Sequence, residues 1–151
     1  MNKLINAIYD PDFKNQWDDK LLETNVEYLQ NGSKNFGLYY SRNKKQMTFQ
    51  SRDFYEKFFE VFHNGIYYRL SSSADGTDYA LPEETVRGLV NLSVSKIERL
   101  PNGKIKLQYL TETNLFMQVP KAIQDPFLIK STKAWYDNLK KFYTKNYKKL
   151  W

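Results

Sequence analysis

The stretch SRDFYEKFFEVFHNG, residues 51–65, decides how the rest of the chain is arranged. Phe54, Phe58 and Phe62 recur at every fourth position, flanked by Tyr55, Phe59 and Val61, while Glu56, Lys57, Glu60 and His63 fall opposite. At 3.6 residues per turn this spacing predicts an amphipathic helix. Ser51 can cap it, Asp53 lies in the first turn where the dipole favours an acid, and Asn64-Gly65 ends it. Such a helix separates the strands before it from those after it.

Working back, Asp10-Pro11 pairs an N-cap with proline at the first helical position, and Phe13, Trp17 and Leu21 form one apolar stripe. Val26 and Tyr28 alternate, Asn31-Gly32 gives a hairpin signal, and Phe36, Leu38 and Tyr40 alternate again. A turn over 42–45 then leads to Met47 and Phe49, completing a three-stranded meander with one aromatic face. Working forward, residues 66–70 read as a strand and 71–78 as a polar loop. A short helix is expected from Pro82 to about Val90, with Glu83 and Glu84 in its first turn. Strands over 92–100 and 104–111 flank Pro101-Asn102-Gly103, and 115–119 adds another before Pro120. The last helix is expected from Ser131 or Thr132 to about Leu150. The expected fold class is α+β: antiparallel sheet built from the meander and the later hairpin, packed by aromatic-rich helices, with a basic amphipathic C-terminal helix. Residues 1–151 are expected to form a single domain.

Twelve Tyr, 10 Phe and 3 Trp supply ample apolar area for a core and exclude the disordered class. The absence of cysteine excludes disulfides, zinc–thiolate sites and thiol nucleophiles. No run approaches the roughly 18 apolar residues of a membrane span, and the N-terminus lacks a signal-peptide core, so a cytoplasmic protein is expected. Lysine outnumbers arginine 18 to 5 and asparagine is frequent, the usage of an AT-rich gene such as a phage or mobile element carries.

Catalytic signals are few. His63 is the lone histidine, placed by its helix assignment near free carbonyls. No nucleophile elbow, zinc helix, Walker loop or dinucleotide fingerprint occurs, so no cofactor is implied and the chain reads as a non-enzyme. Asp75, Asp78, Glu83 and Glu84 form an acidic loop able to offer Mg²⁺ ligands, although turn chemistry and first-turn helix acids account for them as well.

Charge gives the strongest lead. Residues 130–151 carry seven Lys against Asp137, a net +6 equal to that of the whole chain. On a helix, Trp135, Leu139, Phe142, Tyr143 and Leu150 share one side, with Lys141, Lys145, Lys148 and Lys149 opposite. Lysines interleaved with rings suit phosphates and stacked bases, and equally an anionic membrane surface. A second basic stretch, Lys34, Arg42, Lys44, Lys45 and Arg52, lies around the meander, with Tyr39 on the face opposite Phe36, Leu38 and Tyr40. The expected function is therefore nucleic-acid binding by a small phage or mobile-element regulator. Lys140, Lys141, Lys145, Lys148, Lys149, Lys44 and Lys45 would contact phosphates, and Tyr136 or Tyr147 would stack. The alternatives are a protein-binding inhibitor or adaptor, such as an anti-defence protein, and a metal-dependent enzyme using the 75–84 carboxylates.

Overall fold

The computed structural model describes residues 1–30, 33–46, 49–75, 81–117 and 120–148. Two short helices, α1 (Asn2–Tyr9) and α2 (Pro11–Lys14), precede β1 (Leu21–Gln30), β2 (Ser33–Asn43), β3 (Ser51–His63) and β4 (Ile66–Ser73). Then come β5 (Thr85–Arg87), β6 (Leu89–Arg99), β7 (Ile105–Asn114) and the long helix α3 (Lys121–Asn146). Among the described residues seven strands form one sheet in the order β1-β2-β3-β4-β6-β7, with β5 paired beside β3. Every pairing is antiparallel except the short β3–β5 one.

The predicted helix over 51–63 is strand β3, which pairs with β2 along one edge and β4 along the other. A spacing of four is even, so Phe54, Phe58 and Phe62 also share one face of a strand. The odd positions are apolar too. Phe36, Phe59, Leu70, Val94 and Leu110 align across five strands on the far side of the sheet, and Phe59, Leu70 and Leu110 stay exposed there. With rings on both faces, the alternation of a strand was hidden. Asn64-Gly65 ends no helix; both residues take positive φ, 50° and 76°, in the tight turn between β3 and β4. His63 closes the strand exposed, its Nε2 3.1 Å from Asn64 Nδ2.

Other boundaries shift for similar reasons. Asp10 caps α2 by accepting from Asp12 N at 2.9 Å, with Pro11 at the first helical position, but the helix ends at Lys14 and Leu21 already begins β1. The unforeseen α1 buries Leu4, Ala7 and Ile8, an i, i+3, i+4 stripe. The meander forms, but its third member is β3. Phe49 makes only an isolated bridge with Gln46, while Asn31, Gly32 and Met47 lie outside the described residues. In place of a helix over 82–90 there is a turn at Glu83-Glu84, then β5 and the start of β6. Residues 115–117 are not a strand, and Val119 lies outside the described residues. The hairpin about 101–103 forms as expected, Arg99 opposite Ile105. Helix α3 starts ten residues before the expected Ser131 because it tolerates Pro126 in its interior, beyond the first turn where a missing N–H is harmless.

The core occupies one end of the sheet. Leu4, Ala7 and Ile8 of α1, together with Trp17, meet Tyr67, Ile97 and, from the second half of α3, Leu139 and Phe142. Trp17 Nε1 donates to Ala7 O at 2.7 Å, fixing the chain between α2 and β1 beneath α3. Burying Leu139 and Phe142 stabilises the helix on the sheet by roughly 1.5–3 kcal/mol each. Among the described residues no buried apolar cluster of this kind lies under the first half of α3.

Candidate functional site: a cavity roofed by the C-terminal helix

Where the core stops, a cavity of about 450 Å³ opens between the inner face of the sheet and the first half of α3. Its floor comes from alternate positions: Tyr39 and Ser41 on β2, Phe54 and Glu56 on β3, Arg69 and Ser71 on β4. Ser93 and Ser95 on β6 and Tyr109, Thr111 and Thr113 on β7 continue it. Ser131, Thr132, Trp135 and Tyr136 of α3 form the roof, and Ile8, Tyr9, Lys14 and Asp18 close the side toward α1 and α2. Small hydroxylated residues on the strands leave the space that large apolar ones fill at the core end.

Arg69 is the most confined charge of the cavity wall. It is 5% exposed, and its guanidinium donates to Glu60 at 2.6 Å from the directly opposed position on β3. The guanidinium carbon lies 3.7 Å from the Phe58 ring centre and 4.3 Å from that of Tyr9. The Phe58 ring in turn needs Gly37 beside it, since a Cβ there would lie 2.7 Å from Phe58 Cζ and 2.3 Å from Glu27 O. Burial pulls the Arg69 pKa down, but the neighbouring Tyr9 and Glu60 more than offset it and the group stays charged. Lys14 donates to Tyr39 Oη at 2.7 Å. Its pKa is likewise raised, burial being outweighed by Tyr39 and Asp18. Lys20 donates to Ser131 Oγ at 2.6 Å and ties the α2–β1 segment to the roof. Ser71 Oγ donates to Glu56 at 2.5 Å, Ser93 Oγ to Tyr109 Oη at 3.0 Å, and Tyr9 Oη to Ser95 Oγ.

Several phenols here resist ionisation. Burial pushes Tyr9 up to about 12 despite the opposing pull of Arg69, and burial followed by Asp53 and Glu23 pushes Tyr40 up to about 12. Tyr67, fully buried, is raised further by burial and then by Glu60. The folded state therefore keeps protons that the unfolded chain releases. The stabilisation is complete below pH 10, the ordinary phenol value, and is lost as pH rises through about 12. In an alkaline titration followed by ultraviolet tyrosinate absorbance and circular dichroism, these tyrosines should ionise only as the fold melts. Ionisation of all 12 tyrosines near pH 10 with the fold intact would contradict this.

The residues expected to bind nucleic acid are not gathered in one place. Lys140, Lys141, Lys145 and Lys148 are exposed on or just beyond the second half of α3, over the core, and Lys149 lies outside the described residues. Lys44 and Lys45 are exposed at the end of β2, and Lys44 donates to Asp19 O at 2.8 Å. Lys44 adjoins Leu128 and Ser131 of α3 around a smaller hollow, which leaves Lys140 and Lys145 about 14–21 Å further along the helix at 1.5 Å per residue. Tyr136 lines the cavity, and Tyr147 packs edge-on against Tyr143 with Lys3 over its ring. Tyr39 faces inward, contrary to expectation, because it shares a face with Gly37 and Ser41. Of the acidic loop, Asp75 lies 3.8 Å from Lys57, Glu83 and Glu84 are exposed, and Asp78 lies outside the described residues. Among the described residues no group of carboxylates or histidine is placed to hold a metal ion. Nor is any helix among them long and apolar enough to cross a membrane. Sequence reasoning missed Arg69, Ser71, Ser93 and Ser95, whose one signal was the alternation of Ser93 and Ser95 along β6.

No protein-family model matches the chain, and no curated protein matches it in sequence. Solved structures do. Human StAR-related lipid transfer protein 5 matches with a TM-score of 0.81 at 18% identity, over 97% of this chain and 72% of that one. Human STARD10 gives 0.77 at 18% identity, over 97% of this chain, which spans only 60% of the STARD10 chain. A StAR-related lipid transfer protein fragment from Xanthomonas axonopodis gives 0.66 at 10% identity, over 91% of this chain and 75% of that one. At these identities the likeness establishes the fold, an α+β sheet of seven strands with a C-terminal helix. It overturns the expectation of a nucleic-acid-binding phage regulator, since the human protein 5 and the Xanthomonas fragment that share this architecture are described as lipid-transfer proteins. The companion expectations, a protein-binding inhibitor or adaptor and a metal enzyme on loop 75–84, fall with it. The physical source of the error is the C-terminal helix: its aromatic face is spent on the core and the cavity roof, not on stacking with bases.

Proposed function

We propose that this chain binds a single small amphiphile, a lipid or lipid-like molecule, between the sheet and α3, and that it shelters or transfers the ligand without chemical change. The observation that carries the reading is the cavity itself. Its volume of about 450 Å³ falls within the roughly 300–1,000 Å³ typical of ligand sites. Membership of a lipid-transfer fold supports the same reading. The size favours one chain or one compact ring system over a two-chain lipid. Helix α3 is the element whose movement would admit the ligand: its second half is anchored in the core, whereas its first half, held by the bond from Lys20 to Ser131, would lift once that bond opens.

Filling the cavity tests this. Ser93 is 6% exposed on the floor, and Ser93→Phe places a ring in the ligand's space. Binding of a fluorescent single-chain fatty acid by the wild type, and a loss of about tenfold or more in Ser93→Phe, is the expected result. Thr111→Phe, at the edge strand, serves as a second variant should Ser93→Phe fail to fold. Equal binding by folded wild type and filled variants would contradict the reading.

A further inference from the structure

The chemistry of the cavity wall carries the identification of its ligand one step further, resting on the reading just proposed. Roughly half of the residues that line the cavity end in a hydroxyl, about twice as many as are apolar. A site for a purely hydrocarbon ligand is lined predominantly by apolar side chains with a few polar ones. Most of the lining surface here is likewise apolar, but its polar part is supplied chiefly by hydroxyls.

The charged groups of the wall are already matched within the protein. Arg69 pairs with Glu60, Lys14 donates to Tyr39, and Lys20 donates to Ser131. Glu56 accepts from Ser71, and Asp18 accepts a backbone hydrogen bond from Lys20. Three cations, Lys14, Lys20 and Arg69, are thus balanced by three carboxylates, Asp18, Glu56 and Glu60, and no one sign of charge is left over to select an ionic head.

The hydroxyls are in a different position. Each can donate once and accept twice, and those of the floor bond mainly to one another: Tyr9 with Ser95, Ser93 with Tyr109, Thr111 with Thr113. Such pairs keep spare capacity of both kinds. The register gathers them, for Ser71 stands opposite Ser93 and Ser93 opposite Thr111. Three neighbouring strands therefore present a row of hydroxyls about 10 Å wide. Above this row the Trp135 indole, stacked on Tyr109 with ring centres 6.4 Å apart, supplies a flat apolar surface. A hydroxyl row facing an aromatic plate suits a ring that carries hydroxyls at its edge and C–H groups on its faces. A hydrocarbon would leave the row's spare hydrogen-bonding capacity unused.

We propose that the cavity selects an uncharged, polyhydroxylated amphiphile, its hydroxyls on the Ser71–Ser93–Thr111 row and its ring under Trp135. Three probes with one chain length separate the possibilities: octyl β-D-glucoside, 1-octanol and octanoate, each below its micelle concentration. They are titrated against the full chain by calorimetry and tryptophan fluorescence. The glucoside should bind at least about tenfold more tightly than either of the others. The double variant Ser93→Ala with Thr111→Val, which keeps volume while removing two hydroxyls, should lose about tenfold or more for the glucoside. It should bind octanol unchanged. Octanol or octanoate binding as tightly as the glucoside overturns the polyol assignment while leaving the cavity reading intact. So does a double variant that keeps its glucoside affinity. Binding of none of the three overturns both.

Discussion

Replacing Arg69 with alanine is expected to lower the free energy of unfolding by about 3–5 kcal/mol, read as an earlier urea midpoint with an unchanged slope. The guanidinium is 5% exposed and is held at 2.6 Å from Glu60 while packing on Phe58 and Tyr9. Its removal leaves the Glu60 carboxylate, itself only 14% exposed, without a counter-charge, and empties the space among the rings. Most of the cost is that uncompensated charge and not the worth of the pair, because burying two ions is itself expensive. The paired change Arg69→Met with Glu60→Leu should therefore recover most of the loss. A single variant within about 0.5 kcal/mol of wild type would show that Arg69 is not buried against Glu60 as described.

Asp53→Ala should cost about 3 kcal/mol by loss of charge-assisted bonds and burial of an unfilled site. Asp53 is fully buried, and both its oxygens accept from Arg87, at 2.8 and 2.9 Å. That fork holds β5 alongside β3, so amide exchange at 85–87 should accelerate in the variant before the rest of the sheet is affected. Arg87 is partly exposed and can hydrate once released, which keeps the cost below that of Arg69. The same substitution in a solvated first helical turn would cost under about 1 kcal/mol. The measurement thus also decides between a strand and a helix at 51–63.

That segment shows where the sequence could be read and where it could not. The later hairpin was legible because Pro101-Asn102-Gly103 sits between runs of β-branched and alternating residues, and Asp10-Pro11 correctly announced a helix start. Phe54, Phe58 and Phe62 were ambiguous, since every fourth residue shares a face in either structure. Asn64-Gly65 added to the ambiguity, as the same dipeptide ends helices and turns hairpins. Only the pairing partners, Phe58 with Gly37 and Ser71, resolve it, and these are contacts between distant parts of the chain. The cavity was invisible for a related reason. Ser71, Ser93 and Thr111 are unremarkable one by one, and become a row only when three strands lie in register. The lysines of α3 drew attention because charge is visible in a sequence, whereas a space left between a sheet and a helix is not.

The most direct test of ligand binding inside the sheet–helix cavity is an NMR titration of the isotope-labelled chain with the three octyl probes. The account predicts shifts concentrated at Ser71, Ser93, Ser95, Thr111 and Ser131, which line the cavity, for at least one probe. The side-chain signals of Phe59, Leu70 and Leu110, which project from the far face of the sheet, should stay in place. Shifts confined to that far face, or to the lysines between 140 and 148, with the cavity residues unmoved, would contradict it.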